Sequence, residues 1–253
     1  MAADADARAA KVTVLPDAGA VARRGAELFA VAAQASVGQA GRFVVALSGG
    51  RTPAALYDVL ASDTSLRSEI PWSRCFFFFG DERHVTPAHR DSNYRMAQQS
   101  LLSRVPIDPS QVFRIKGELE SADRAALEYE EAIRGFFELL SGQLPRFDLV
   151  MLGLGSDGHV ASLFPGTAAL DERERLAVAN RNDQLETDRI TLTLPVLNAA
   201  ARVMVLVQGS DKSQALAAVV HGEPGQRPLP AQLVQPTTGT MTWIVDQLAA
   251  ALL

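Results

Sequence analysis

The sequence predicts an α/β fold, a three-layer α/β/α sandwich built around a mainly parallel sheet. Short apolar runs without polar alternation recur along the chain, among them Phe43–Leu47, Cys75–Phe79 and Asp148–Leu152. Such runs are typical of parallel strands that are covered on both faces. Stretches with helical periodicity separate them, as expected for helices that pack on both sides of the sheet. Glycines and charged residues directly follow several strands, at the edge where open α/β sheets bind ligands.

Length and composition fit a single folded unit. The chain has 253 residues, of which 47% are hydrophobic, so a sizeable core can form. We find no internal repeat and no low-complexity linker, and we expect one domain over residues 11–253 after a disordered tail at residues 1–10. The only cysteine, Cys75, excludes a disulfide framework. It lies within an apolar run and is expected in the core rather than as a nucleophile.

Several classes of protein are disfavoured by composition. The N-terminus lacks the basic and apolar regions of a secretory signal, and no apolar run reaches the roughly 18 residues that span a bilayer. A net charge of −5 argues against nucleic acid as a partner, and no Cys/His cluster has zinc spacing. We therefore expect a cytoplasmic protein with no membrane segment and no metal or other cofactor. Monomer and homodimer both stay open.

The first half of the chain alternates strand and helix patterns. Val21, Leu28 and Val31 are expected on the apolar side of the first helix. The expected elements are a strand at Val12–Leu15, a helix at Asp17–Gln34, a strand at Phe43–Leu47, a helix from Thr52 to about Ala61, a strand at Cys75–Phe79 and a helix that Ser92 caps.

A longer helix is predicted at Ser121–Leu140. Its expected apolar side consists of Leu127, Ile133, Phe136, Phe137 and Leu140. Its Glu128, Glu130 and Glu131 are interpreted as a solvated face.

The second half continues the alternation. The expected elements are a strand at Asp148–Leu152, a short helical turn ended by Pro165-Gly166, strands at Arg189–Leu194 and Arg202–Val207, a helix from Ser210 to about His221, a strand at Thr240–Val245 and a terminal helix at Asp246–Leu253. Ser210 is expected to cap its helix, and Gly222 to close it.

The segment Ser48–Pro53, SGGRTP, is the first candidate binding site. Gly49 and Gly50 allow a tight turn and close approach of the backbone to a ligand. Thr52 is a good N-cap before Pro53, so the free amides of a helix N-terminus would form an anion site. Arg51 could add a charged donor. The segment lacks the GK[ST] ending of a P-loop. The alternative is a strand-to-helix turn that needs glycine and has no binding role.

The same residues nearly match a nucleophile elbow. In that reading Ser48 would attack the substrate, with a downstream Asp and His to complete a triad. The first glycine of G-x-S-x-G is missing, and a helix that starts at Thr52 begins too late for an elbow. We therefore favour anion binding.

A charged segment, Asp81 to His84, follows the apolar strand Cys75–Phe79. Its position directly after a strand places these side chains at the carboxyl edge of the sheet rather than on a distant part of the surface. Arg83 is suited to bidentate recognition of a phosphate or carboxylate. Asp81 is a candidate acid or base.

The central segment, Phe147–Thr167, combines a predicted strand with a glycine-rich loop that carries Asp157 and His159. Gly153–Gly158 satisfies the dinucleotide fingerprint G-x-G-x-x-G, but Pro165 stops the long helix that this fingerprint needs, and no acidic residue ends the next strand. We reject a dinucleotide site. Asp157 and His159 lie two residues apart at a strand's carboxyl edge, a candidate acid/base pair. Such spacing does not pair side chains on a helix, so direct contact requires a non-helical turn.

Four segments together resemble the 6-phosphogluconolactonase family. They are SGGRTP, GDERHV with Ser92-Asn93, GLGSDGHVASLFPG, and the neighbourhoods of Arg189 and Lys212. The resemblance covers about Val12 to Ala249. It implies the phosphosugar isomerase-like sandwich, a Rossmann-like sheet without a dinucleotide. It also implies a carboxylic ester hydrolase of the pentose phosphate pathway, acting on 6-phospho-D-glucono-1,5-lactone.

The resemblance also implies roles for individual residues. His159 would be the general base, with Asp157 orienting its imidazole, and Asp81 is the alternative base; the sequence leaves this choice open. The phosphate would lie on the amides of the glycine loop. The other substrate contacts would come from Ser48, Arg51, Arg83, Gly155, Arg189 and Lys212, without a division between phosphate and lactone. Arg90 and Arg95 have less support, and His84, His89 and His221 are interpreted as surface or packing residues.

Two alternatives carry different functions. Glucosamine-6-phosphate deaminases share the glycine loop and the Asp-Gly-His segment, but their pattern has a tyrosine at the position of Arg83 and a catalytic glutamate at that of Phe164. Phenylalanine cannot relay a proton, which favours the lactonase. Sugar-phosphate sensing domains of the same superfamily carry a separate DNA-binding segment, for which the residues before the first strand are too few.

Overall fold

The computed structural model describes residues 11–182, 187–222 and 227–253, and the predicted tail at residues 1–10 lies outside them. Helices and strands alternate along most of the described chain. The strands are β1 (Lys11–Leu15), β2 (Phe43–Leu47), β3 (Cys75–Phe79), β4 (Asp81–Arg83), β5 (Leu149–Gly153), β6 (Ala177–Asn182), β7 (Thr187–Leu192), β8 (Arg202–Val207) and β9 (Thr240–Asp246). The helices are α1 (Ala18–Ala40), α2 (Arg51–Ser62), α3 (Thr64–Glu69), α4 (Asn93–Ala97), α5 (Ala122–Phe137), α6 (Leu194–Ala199) and α7 (Ser213–His221).

The main sheet has the strand order β1-β9-β8-β5-β2-β3, and every neighbouring pair in it is parallel. Its central strands are buried along nearly their whole length. This burial explains why they appear in the sequence as continuous apolar runs rather than as alternating patterns. The predicted α/β fold with a mainly parallel sheet is therefore confirmed.

Helices cover both faces of this sheet. On one face, Phe29 of α1 packs edge-on against Phe43, with ring centroids 5.2 Å apart. Alternate residues of a strand point to opposite faces, and Phe76 and Phe78 contact Phe136 of α5, with centroids 5.0 and 5.2 Å apart. Since Phe43 pairs in register with Cys75, the two helices lie on opposite sides of the sheet.

A second sheet, with the order β4-β7-β6, is antiparallel. The sequence predicted only a strand at Arg189–Leu194, without assigning it to a separate sheet, and it missed β4 and β6. β4 consists of only three residues, which are charged, and only its pairing with β7 makes it a strand. Gly80 accepts a hydrogen bond from the backbone N–H of Leu192 at 2.9 Å, which joins this sheet to the carboxyl edge of the main one.

Several predicted helix ends were wrong. α2 begins at Arg51, and its N-cap is Gly50, which has no capping side chain, so Thr52 does not cap it. α7 begins at Ser213, after a 3-10 turn that contains Ser210, and no side chain caps it. The prediction of Ser92 as a cap is confirmed, since its hydroxyl accepts the backbone N–H of Arg95. Ser121 caps α5 in the same way, through the N–H of Arg124.

Other predicted helices are absent from the described residues. The chain after β5 forms turns as far as Thr167, and the chain after β9 also forms turns. The segment after β5 contains Gly155, Gly158, Pro165 and Gly166, which disfavour a helix. No helix of the described chain combines the length and the apolar character needed to cross a membrane.

Burial also departs from the predicted pattern. Val31 and Leu140 are 60% and 71% exposed, and Leu127 is exposed as well, so they do not belong to the apolar sides predicted for them. Glu130 is buried, and its carboxylate pairs with Arg134 at 2.9 Å and Arg175 at 2.6 Å. Because these arginines neutralise it, Glu130 lies inside the fold rather than on the solvated face predicted for it.

Candidate active site

A pocket of about 260 Å³ lies at the carboxyl edge of the main sheet. Of the predicted site residues, those that line it are Ser48, Gly49, Gly50, Arg51, Thr52, Asp81, Arg83, Gly155, His159 and Lys212. Asp157 and Arg189 are not among the lining residues, but Asp157 contacts His159 and Arg189 pairs with Arg83, which both line the pocket.

A buried tyrosine shapes the glycine loop. The Tyr57 hydroxyl accepts the backbone N–H of Ser48 and donates to the Ser48 carbonyl, both at 3.0 Å. Burial raises the pKa of this phenol, so it stays neutral and serves as both donor and acceptor. Within the described chain, the backbone N–H groups of Gly49, Gly50 and Thr52 have no acceptor. These free amides, at the start of α2, face the pocket and are suited to an anion.

A second tyrosine acts in the same way on the next strand. Tyr129 accepts the backbone N–H of Phe79 at 2.8 Å and donates to its carbonyl at 2.7 Å. The chain beyond this anchor, Gly80-Asp81, therefore leaves the sheet in a defined direction. The buried Asp81 carboxylate accepts hydrogen bonds from Ser162 Oγ at 2.6 Å and from Asn93 Nδ2 at 3.1 Å.

Glu82 holds the start of α4 against this strand. Its carboxylate accepts the backbone N–H groups of Arg83, Asn93 and Tyr94, at 2.7–2.8 Å, and the Ser92 hydroxyl at 2.9 Å. Burial raises the pKa of Glu82, while these donors oppose that effect. The result is a structural clamp that fixes Asn93 beside Asp81 and beside Gly49, where an added Cβ would lie 1.9 Å from the Asn93 side chain.

We expect Glu82→Gln to lower the free energy of unfolding by about 2–4 kcal/mol, since one amide nitrogen would replace an oxygen that accepts two donors. Urea denaturation with equal slopes for both proteins measures this change. The matched control is Glu131→Gln on the exposed side of α5, which should unfold like the wild type. A Glu82 variant as stable as this control would show that the clamp contributes nothing.

The loop after β5 brings Asp157 and His159 into contact. Its turn is closed by hydrogen bonds from Gly155 N–H to the His159 carbonyl, at 2.8 Å, and from Gly158 N–H to the Gly155 carbonyl, at 3.0 Å. This non-helical path places His159 Nδ1 2.5 Å from Asp157 Oδ1. Burial alone would raise the pKa of Asp157, but the charge and the backbone N–H of His159 outweigh it and hold that pKa below its usual value.

Gly155 makes this pairing possible. A Cβ at this position would lie 2.1 Å from His159 Nδ1 and 2.6 Å from Asp157 Oδ1, far inside van der Waals contact. Further along the loop, Ala161 lines the pocket with φ of +48°, a conformation that alanine adopts only under constraint from its surroundings. The loop is therefore built around the position of the imidazole.

Arg83 and Arg189 lie directly opposite each other in the β4–β7 pair and so point to the same face. Arg83 lines the pocket and donates to the Asp91 carbonyl at 2.5 Å, while its buried Nε has no partner in the described chain. Burial, and then the charge of Arg83, lower the pKa of Arg189. Two adjacent guanidinium groups with spare donors favour an anion.

Comparison with known proteins identifies the relatives of this chain. A family model described as glucosamine-6-phosphate isomerases/6-phosphogluconolactonase matches residues 16–243. The chain belongs to this family. A 6-phosphogluconolactonase of Nostoc sp. is 38% identical over 240 residues, which cover 95% of this chain and 97% of the relative. The structure of a 6-phosphogluconolactonase from Trypanosoma cruzi superposes with a TM-score of 0.84 and 28% identity, over 97% of each chain.

The family description names two activities, and the structural comparison alone does not separate them. A monomeric glucosamine-6-phosphate deaminase superposes with a TM-score of 0.79, over 96% of this chain and all of the other, but its 19% identity shows the fold only. Phe164 occupies the position at which the deaminase pattern has glutamate. Here its ring packs edge-on against His159, with centroids 4.8 Å apart, so this family member supports its imidazole with an apolar contact at that position.

The nucleophile elbow has no geometric support. Ser48 Oγ contacts only its neighbouring carbonyl, that of Gly49, at 3.4 Å within the described chain, and no imidazole reaches it. α2 does begin closer to Ser48 than expected, so the helix start by itself was a poor argument against the elbow. No group of three or more potential metal ligands occurs among the described residues.

Three contributors to the pocket were missed from the sequence. Asn93 and Ser162 hold the Asp81 carboxylate, and Gln208 lines the pocket beyond β8. Asn93 and Ser162 both lie within segments that carry the resemblance, but neither was given a role at the site. Gln208 carried no signal, because a single glutamine after a strand resembles any surface residue.

Proposed function

We propose that this chain hydrolyses 6-phospho-D-glucono-1,5-lactone to 6-phosphogluconate. The observation that carries the proposal is the Asp157–His159 pair at a pocket lined with cationic groups. Asp157 accepts from Nδ1 of His159, and Nε2 has no partner within the described chain. An imidazole oriented in this way can exchange a proton with a water molecule. The relatives named as 6-phosphogluconolactonases favour lactone hydrolysis as the reaction in which the Asp157–His159 pair takes part.

The reaction requires one proton to move twice. His159 Nε2 takes a proton from water as the water oxygen attacks the lactone carbonyl carbon, and the Asp157 carboxylate stabilises the imidazolium that forms. Arg83 is placed to stabilise the tetrahedral oxyanion. As the bond between that carbon and the ring oxygen breaks, the imidazolium returns its proton to the ring oxygen. The carboxylic acid product then ionises, which releases one proton to solution.

Asp81 is the weaker candidate for the base. Both of its oxygens accept hydrogen bonds, from Ser162 and from Asn93, so fewer of its lone pairs are available to take a proton from water. We assign it instead to orienting the substrate hydroxyls at the edge of the pocket. We therefore propose His159 as the base, a choice that the sequence left open.

The phosphate would lie at the start of α2. The free amides of Gly49, Gly50 and Thr52 supply donors, and the charge would come from Arg189 and Lys212. Lys212 lines the pocket and pairs with the exposed Asp211 at 3.2 Å. A bound dianion would also relieve the repulsion between Arg83 and Arg189.

The function is tested by acid release in a pH-stat with freshly prepared 6-phosphogluconolactone. Proton release well above the spontaneous rate is expected. Glucosamine 6-phosphate is assayed for ammonia in parallel. Ammonia without accelerated acid release would establish the deaminase instead and would overturn the proposal.

For phosphate recognition, we expect Arg189→Met to raise KM for the phosphorylated lactone by about 10–100-fold, since hydrogen bonds to a charged group are lost. The slow hydrolysis of unphosphorylated glucono-1,5-lactone should stay unchanged. The control is Arg90→Met, at a guanidinium that is 84% exposed, which should match the wild type on both lactones. Equal losses on both substrates would place Arg189 outside the phosphate site.

A further inference from the structure

Gln208 follows β8 directly and forms part of the pocket wall. Leu206 and Val207, the two residues before it, line the same pocket. β5 pairs with β8 in parallel, with Gly153 opposite Leu206. Gln208 therefore lies at the same edge of the sheet as Gly155, which follows β5.

The backbone at this point is held firmly. The buried carboxylate of Asp246 accepts the N–H of Gly209 at 3.0 and 3.1 Å and that of Ala249 at 2.7 Å. The backbone of Gln208 is thus anchored from the next residue on, and the chain continues to Lys212, which lines the same pocket.

The carbonyl oxygen of Gln208, Oε1, is buried and has no hydrogen-bond partner in the described chain. Buried polar atoms without a partner are rare, because the loss of water is then uncompensated. Gln208 belongs to the pocket wall, so a rotation of its amide group on binding would bring this oxygen to the bound molecule, which can then supply the missing donor. An acceptor in this position selects for ligands that carry a donor.

The chemistry of the substrate limits which of its groups can donate a hydrogen bond to Gln208 Oε1. The phosphate, the lactone carbonyl and the ring oxygen are all acceptors at neutral pH, so none of them can satisfy Oε1. The hydroxyls on carbons 2, 3 and 4 of the lactone ring are donors. Resting on the proposed function, we propose that Gln208 is a specificity-determining residue that accepts a hydrogen bond from one of these three ring hydroxyls.

The test compares the wild type with Gln208→Met, which keeps the length of the side chain but has no hydrogen-bonding oxygen. On 6-phosphogluconolactone, kcat/KM should fall by about 5–150-fold. The 2-deoxy, 3-deoxy and 4-deoxy analogues are then assayed with both proteins. For one analogue, kcat/KM of the wild type should fall by a comparable factor relative to the full substrate. On that analogue kcat/KM of the two proteins should be equal to within about two-fold, because it lacks the hydroxyl that donates to Gln208.

The control is Gln247→Met, at an exposed glutamine of the C-terminal turns, which should behave as the wild type on every lactone. A Gln208 variant with unchanged kcat/KM would overturn the inference. So would a loss of the same size on all three deoxy analogues, which would indicate contact with water or a purely structural role. If the wild type itself releases no acid, the proposed function fails instead, and the two failures are thereby distinguished.

Discussion

His159→Asn should abolish most of the lactone hydrolysis, with kcat reduced by about 10²–10⁴-fold, the range that general acid–base catalysis contributes. Asparagine can occupy the Nδ1 side of the imidazole but cannot exchange a proton at the position of Nε2. Its smaller side chain would also lose the edge-on contact with Phe164. KM should change little, because the imidazole acts on the attacking water rather than on the phosphate. Acid release in the pH-stat measures the rate, and circular dichroism verifies that the variant is folded.

The control for this variant is His221→Asn at the exposed end of α7, for which we expect full activity. If His159→Asn retained most of the wild-type rate while folded, His159 would be a structural residue. Asp81 would then become the leading base, in spite of the hydrogen bonds from Ser162 and Asn93.

Gly155→Ala should reduce kcat by about 10²-fold, because a displacement of a catalytic group by about 1 Å has effects of that size. The added methyl group would lie 2.1 Å from His159 Nδ1, so the ring or the loop must shift. The imidazole itself and the phosphate site stay intact, and we expect KM to remain within about three-fold of the wild type. Steady-state kinetics on 6-phosphogluconolactone separate the two parameters.

A comparison with Gly38→Ala shows whether the loss is specific. Gly38 lies in α1, and a Cβ there meets no atom within 4 Å, so this variant should have wild-type kinetics. Full retention of kcat in Gly155→Ala would mean that the loop accommodates the methyl group without moving the imidazole. The placement of His159 would then depend on Asp157 and Phe164 alone.

The sequence by itself determined the main sheet. β2, β3 and β8 coincide with their apolar runs, because a strand buried on both faces needs apolar residues throughout. It also predicted which segments would meet, since the carboxyl ends of parallel strands share one edge. The separate segments around Ser48, Asp81, His159 and Lys212 line one pocket for this reason.

Only the tertiary structure decided how those side chains are held. β4 has too few residues to show a period, and its pairing with β7 is what sets Arg83 opposite Arg189. The contact between Asp81 and Ser162, a residue distant in sequence, could not be predicted, and it is what favours His159 over Asp81 as the base in the proposed mechanism. Gln208 carried no signal at all, since an unsatisfied buried oxygen is a property of its surroundings. A local pattern records which face of an element is buried, but hydrogen bonds between distant segments depend on the packing that brings them together.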